Sequence, residues 1–96
     1  MGRNEEAALE YRHVLEARTR IQGPDHPETL RSHHNLAVTL ADSGLFDEAE
    51  AELRIALDGR TRTLGPEHPH TVISRDTLAN VLREQDRHGA DRVHHQ

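Results

Sequence analysis

The chain of 96 residues contains no cysteine, no tryptophan and no lysine, and only one phenylalanine and one tyrosine. Without cysteine there can be no disulfide, no thiolate metal site and no cysteine nucleophile. With so little aromatic area, any core must be assembled from Leu, Ala, Val and Ile, which pack closely but bury little surface each, so modest stability is expected. No apolar run reaches membrane-spanning length and the N-terminus has no apolar leader stretch, which makes a cytoplasmic protein without membrane contacts the expectation. A block of positive charge is missing too. The 12 basic and 17 acidic residues, net charge -5, are interspersed, whereas a nucleic-acid surface needs a concentrated positive field. All the basic residues are arginine, which reads as the codon usage of a GC-rich bacterial genome rather than as chemistry.

Catalytic signatures are also absent. Ser32, Ser43 and Ser74 lie in no nucleophile elbow, and no glycine-rich loop is placed to cradle a phosphate. The carboxylates stand at helix starts or opposite arginines, where capping and solubility account for them. Neither an enzyme nor a cofactor is expected.

What the chain does have is an internal repeat. Gly23-Pro24-Asp25-His26-Pro27-Glu28-Thr29-Leu30 returns as Gly65-Pro66-Glu67-His68-Pro69-His70-Thr71-Val72, displaced by 42 residues (23 to 65). The register extends outward: Ala7, Glu10, Leu15 and Arg18 recur as Ala49, Glu52, Leu57 and Arg60, and Ser32, Leu36, Ala37 and Leu40 as Ser74, Leu78, Ala79 and Leu82. Repetition at both buried-type and loop-type positions marks a stacked repeat protein, in which each unit buries its apolar face on its neighbours.

Apolar residues at three- and four-residue spacing predict an all-α chain of about four helices, over 4–21, 27–42, 46–63 and 69–85, followed by a frayed tail over 86–96. Acids open the first and third segments and arginines close them, as the helix dipole favours. Pro27 and Pro69 suit a first helical turn, where the missing N–H has no intrahelical partner. Two N-caps compete before Pro27: Asp25, with Glu28 three residues on as a capping box, or His26. Gly44 suits a left-handed C-terminal cap that reverses the chain.

Asn35-Leu36-Ala37 with Leu40, then Gly44, Phe46, Glu48-Ala49, Leu53 and Ala56, resembles the tetratricopeptide repeat. The 42-residue period and the Gly-Pro-acid-His-Pro connector make the chain similar to the kinesin-light-chain-type variant. The resemblance implies antiparallel helix-turn-helix units stacked as a short right-handed solenoid, with the chain reading helix B, helix A, helix B, helix A. It also implies a protein-interaction scaffold, part of a larger repeat or regulatory protein, whose A helices line a concave groove for a peptide or helical segment. Carried onto this sequence, the groove presents Arg31, His34, Asn35, Val38 and Asp42 from one unit and Ile73, Asp76, Thr77, Asn80, Arg83 and Glu84 from the next. Asn35 is the leading candidate, because an amide can donate to and accept from a peptide backbone at once.

Two other functions compete. The chain starts and stops in mid-repeat, which leaves its outer helices without their usual partners. A self-assembling module, most simply a two-fold homodimer stacked through these helices, is therefore expected as an alternative. The nine histidines point to a metal-binding domain as an alternative of another class, through His33/His34, His68/His70 or the tail His88, His94 and His95. Against it, neighbouring His33 and His34 diverge on a helix, and His26 and His68 belong to the repeated connector. No metal site is expected.

Overall fold

A computed structural model describes the backbone of residues 2–94 and the side-chain surroundings of residue 3 and residues 5–88. Four helices follow in order: α1 (Gly2–Gln22), α2 (Pro27–Asp42), α3 (Phe46–Leu64) and α4 (Pro69–His94). Each packs on the next, α1 on α2, α2 on α3 and α3 on α4, so α1 and α4 form the two outer helices of a row spanning 47 × 33 × 16 Å.

The core follows from the spacing. Leu36, Ala37 and Leu40 of α2, Ala49 and Leu53 of α3, and Leu78 and Val81 of α4 form one buried cluster, against which Ala8, Tyr11 and Leu15 of α1 pack. Alanine at 37 and 49 and glycine at 59 keep the α2–α3 seam narrow. A Cβ placed on Gly59 would stand 2.5 Å from Leu30 Cδ2, so the leucine occupies space that only a glycine leaves open.

The two connectors are built alike. Gly23 and Gly65 both take φ 95°, in the left-handed region, and each returns its N–H to the carbonyl four residues back, Thr19 or Thr61. Of the two possible N-caps, the histidine acts: His26 Nδ1 accepts the Glu28 N–H at 3.1 Å, and His68 Nδ1 accepts the His70 N–H at 3.0 Å. The threonines differ. Thr29 Oγ1 donates to Gly23 O at 2.8 Å, whereas the Thr71 hydroxyl is buried with no hydrogen-bond partner among the described residues.

The fourth helix corrects one expectation. Helix 69–85 with a frayed tail over 86–96 was anticipated, but α4 continues to His94; residues 95 and 96 lie outside the described ones. The physical reason lies in the register: Asp86 stands where Gly44 takes φ 81° to turn the chain, so the left-handed stop is missing and the helical hydrogen bonds propagate.

Candidate functional site

α2 and α4 lie side by side, bridged at mid-length by a hydrogen bond of 3.2 Å between His34 Nδ1 and Ser74 Oγ. This bridge divides the seam into two depressions of opposite character.

Toward the C-terminal end of α2 lies a cleft of about 420 Å³, lined by Val38, Ala41, Asp42, Phe46, Thr77, Asn80, Val81 and Glu84. Five of the eleven groove residues expected from sequence meet here: Val38, Asp42, Thr77, Asn80 and Glu84. The floor that sequence reasoning missed comes from Phe46, Ala41 and Val81. Phe46 opens α3, so its ring reads as ordinary core from its spacing; only the placement of α4 opens one side of it to a cleft. The Asn80 side-chain carbonyl already accepts from Arg83, which ties one further expected groove residue to the cleft along the same helix.

Toward the N-terminal ends of the two helices lies a smaller depression of about 160 Å³, lined by Pro27, Glu28, Leu30, Arg31, Arg60, Thr63, Leu64 and His70. Arg31 belongs to this one and pairs with Glu28 at 2.7 Å. The remaining expected residues distribute along the helices: Asn35 is half-buried and its amide has no hydrogen-bond partner among the described residues, while Ile73 and Asp76 are exposed.

Electrostatics along the seam are set by Arg60, which sequence reasoning assigned only to closing a helix. It is 6% exposed. Its Nη1 donates to Ser74 Oγ at 2.8 Å and to the His70 carbonyl at 3.1 Å, and no carboxylate pairs with it among the described residues. Burial alone pushes its pKa down. His34 is held below its usual range, first by burial and then by the adjacent Arg60 charge. The neutral ring then accepts the Ser74 hydroxyl proton at Nδ1, while the same hydroxyl oxygen accepts from Arg60. Arg31 is offset by Glu28 at one end and Glu84 by Arg87, 3.1 Å away, at the other, so the polarity of the seam rests on Arg60 against Asp42. Helix N-termini lie at the basic end, which adds to the same sense of field.

A depression of about 530 Å³ lies elsewhere, between the start of α1 and the α2–α3 turn, where Arg12 of α1 pairs with Glu48 of α3 at 3.1 Å. Of the expected groove residues only Asp42 touches it.

Four of the histidines, His26, His33, His34 and His68, are held in contacts of the fold. His26 and His68 cap helices, and His33 Nδ1 lies 2.6 Å from Glu52 Oε1 across the α2–α3 seam. Among the described residues no three His, Asp or Glu side chains converge as metal ligands; His94 and His95 fall outside the described side chains. Among the described residues, too, no helix is long and apolar enough to cross a membrane.

A family model described as tetratricopeptide repeat covers residues 1–54 and again 33–90, two overlapping placements offset by less than one repeat. No curated protein matches the chain.

Proposed function

The chain belongs to the tetratricopeptide-repeat family, and on that premise we propose that it is a protein-interaction module whose α2–α4 cleft receives an extended or helical segment of a partner protein. The family's repeats mediate protein–protein contacts in general and serve as scaffolds rather than catalysts. Within the family we place the chain with the kinesin-light-chain-type variety, on the strength of its 42-residue period and its Gly-Pro-acid-His-Pro connector.

One observation carries the groove reading: an apolar floor of Val38, Ala41, Phe46 and Val81, rimmed by Asp42, Thr77, Asn80 and Glu84. Apolar floors supply area and polar rims fix register, which is how a shallow site holds a peptide. Asn35 sits one turn from Val38 and Thr39 with its amide unengaged among the described residues, free to exchange two hydrogen bonds with a peptide backbone. Arg60 and the helix N-termini at one end and Asp42 at the other favour a ligand whose acidic group points to the N-terminal end of the seam and whose basic group points to the Asp42 end.

Peptides selected from a random library against the wild-type chain test this. Replacement of Arg31, Asn35 and Asn80 together by alanine leaves helicity intact and weakens the selected peptides by about tenfold or more. Equal binding by the triple variant contradicts the assignment.

A further inference from the structure

The outer helices each carry a stripe whose counterpart, 42 residues away, is covered by a neighbouring helix. In the α2–α3 seam, α2 presents Leu30, His33, Ala37 and Leu40, and α3 presents Ala49, Glu52, Ala56 and Gly59. Two contacts fix the register: His33 Nδ1 against Glu52 Oε1 at 2.6 Å, and Leu30 filling the space left by Gly59. The same positions in α4 are Val72, Arg75, Ala79 and Leu82, and in α1 Ala7, Glu10, Val14 and Ala17. Coverage differs sharply. Leu40 is 2% exposed but Leu82 36%, and Ala56 is fully buried but Val14 is 42% exposed.

The two uncovered stripes are complementary to each other. Where the α2–α3 seam sets His33 against Glu52, an α4–α1 seam in the same register sets Arg75 against Glu10, a pair of full opposite charges. Neither residue takes part in an ion pair with another described residue. Where Leu30 requires glycine at 59, Val72 stands opposite Ala17: the A helix is shorter by one carbon and the B helix longer by one. A Cβ that would collide with leucine at 2.5 Å therefore has room beside valine. The close-packing alanines are retained on both sides, as Ala79 and Ala7.

We propose that α4 of one copy of this chain packs on α1 of a second copy in the geometry that α2 and α3 adopt within the chain. The inference concerns a surface away from the α2–α4 cleft and stands independently of the peptide reading. Because α1 and α4 lie at opposite ends of the row, the contact is heterologous. Each added copy presents a fresh α4, so assembly runs head to tail and continues with concentration, in place of the closed two-fold pair expected from sequence.

Sedimentation velocity over a concentration series tests the proposal with the 96-residue chain itself. The wild type is expected to rise in mass beyond a dimer. Val14→Asp, which charges the α1 stripe, and Leu82→Asp, which charges the α4 stripe, are each expected to remain monomeric alone. Mixed in equal amounts, they form a dimer and stop there, because one intact contact remains. Should either aspartate variant lose helicity by circular dichroism, the charge exchange decides instead: Glu10→Arg and Arg75→Glu each weaken assembly by at least about tenfold, and combining them in one chain restores it. A concentration-independent monomer mass for the wild type overturns the proposal. So does a mixture that stays monomeric, an aspartate variant that associates as the wild type does, or a double charge exchange that restores nothing.

Discussion

At the scale of single residues, two packing relations carry much of the seam. Gly59 matters by volume: its missing Cβ is what lets Leu30 reach into the α2–α3 contact. Gly59→Ala is predicted to destabilise the chain by about 1 kcal/mol, at the low end for overpacking because Leu30 can swing its terminal methyls aside. Leu30→Val should recover most of that loss, so the double variant in urea denaturation falls well short of the sum of the two singles. The second relation is the Arg60–Ser74–His34 chain. His34 has a folded-state pKa below 6.5, held there by burial and by Arg60. The unfolded chain therefore binds the proton first. The stabilising contribution is complete above about 6.5 and is lost as pH falls from there through the folded value. His34→Gln is predicted to flatten this part of the acid sensitivity, read as a smaller drop in the urea midpoint across that window than in the wild type. This polar chain was illegible in the sequence. Arg60 matches Arg18 in register and closes a helix as Arg18 does, and nothing in one dimension says that one is buried against Ser74 while the other lies near solvent.

At the scale of elements, the repeated connectors decide where helices begin and end. Periodicity and the proline positions gave helix starts that agree with the structure to a residue or two, because Pro27 and Pro69 fix the first turn and histidine supplies the cap. Choosing histidine over aspartate as the cap needed the backbone geometry, since both stand within two residues of the proline. The end of α4 was misjudged because the turn was inferred from repeat register although its glycine had become Asp86. The same logic gives a prediction: Gly44, at φ 81° in the α2–α3 turn, costs about 1–2 kcal/mol when replaced by alanine, through backbone strain alone. No side-chain clash contributes, because nothing lies within 4 Å of a Cβ placed there. Urea denaturation of Gly44→Ala, with an unchanged slope against denaturant, is the expected result.

At the scale of the whole molecule, duplication produces both a cleft between α2 and α4 and exposed apolar residues on the outer helices, Val14 and Leu82 among them. The fold class was readable from the repeat because each unit must bury its stripe on the next. Part of the cleft lining was readable: helical register brings Val38, Asp42, Thr77, Asn80 and Glu84 together, since residues sharing a face in both units meet when the units stack. Register could not say that the His34–Ser74 bridge splits the seam, nor that Arg31 falls into a separate depression beside Arg60. Binding of a partner segment along the α2–α4 seam, as proposed, is read by amide chemical-shift mapping with a library-selected peptide. Shifts concentrated on residues 35–42 of α2 and 77–84 of α4, with α1 nearly silent, are the expected result. Shifts centred on α1 and the outward side of α3 contradict it.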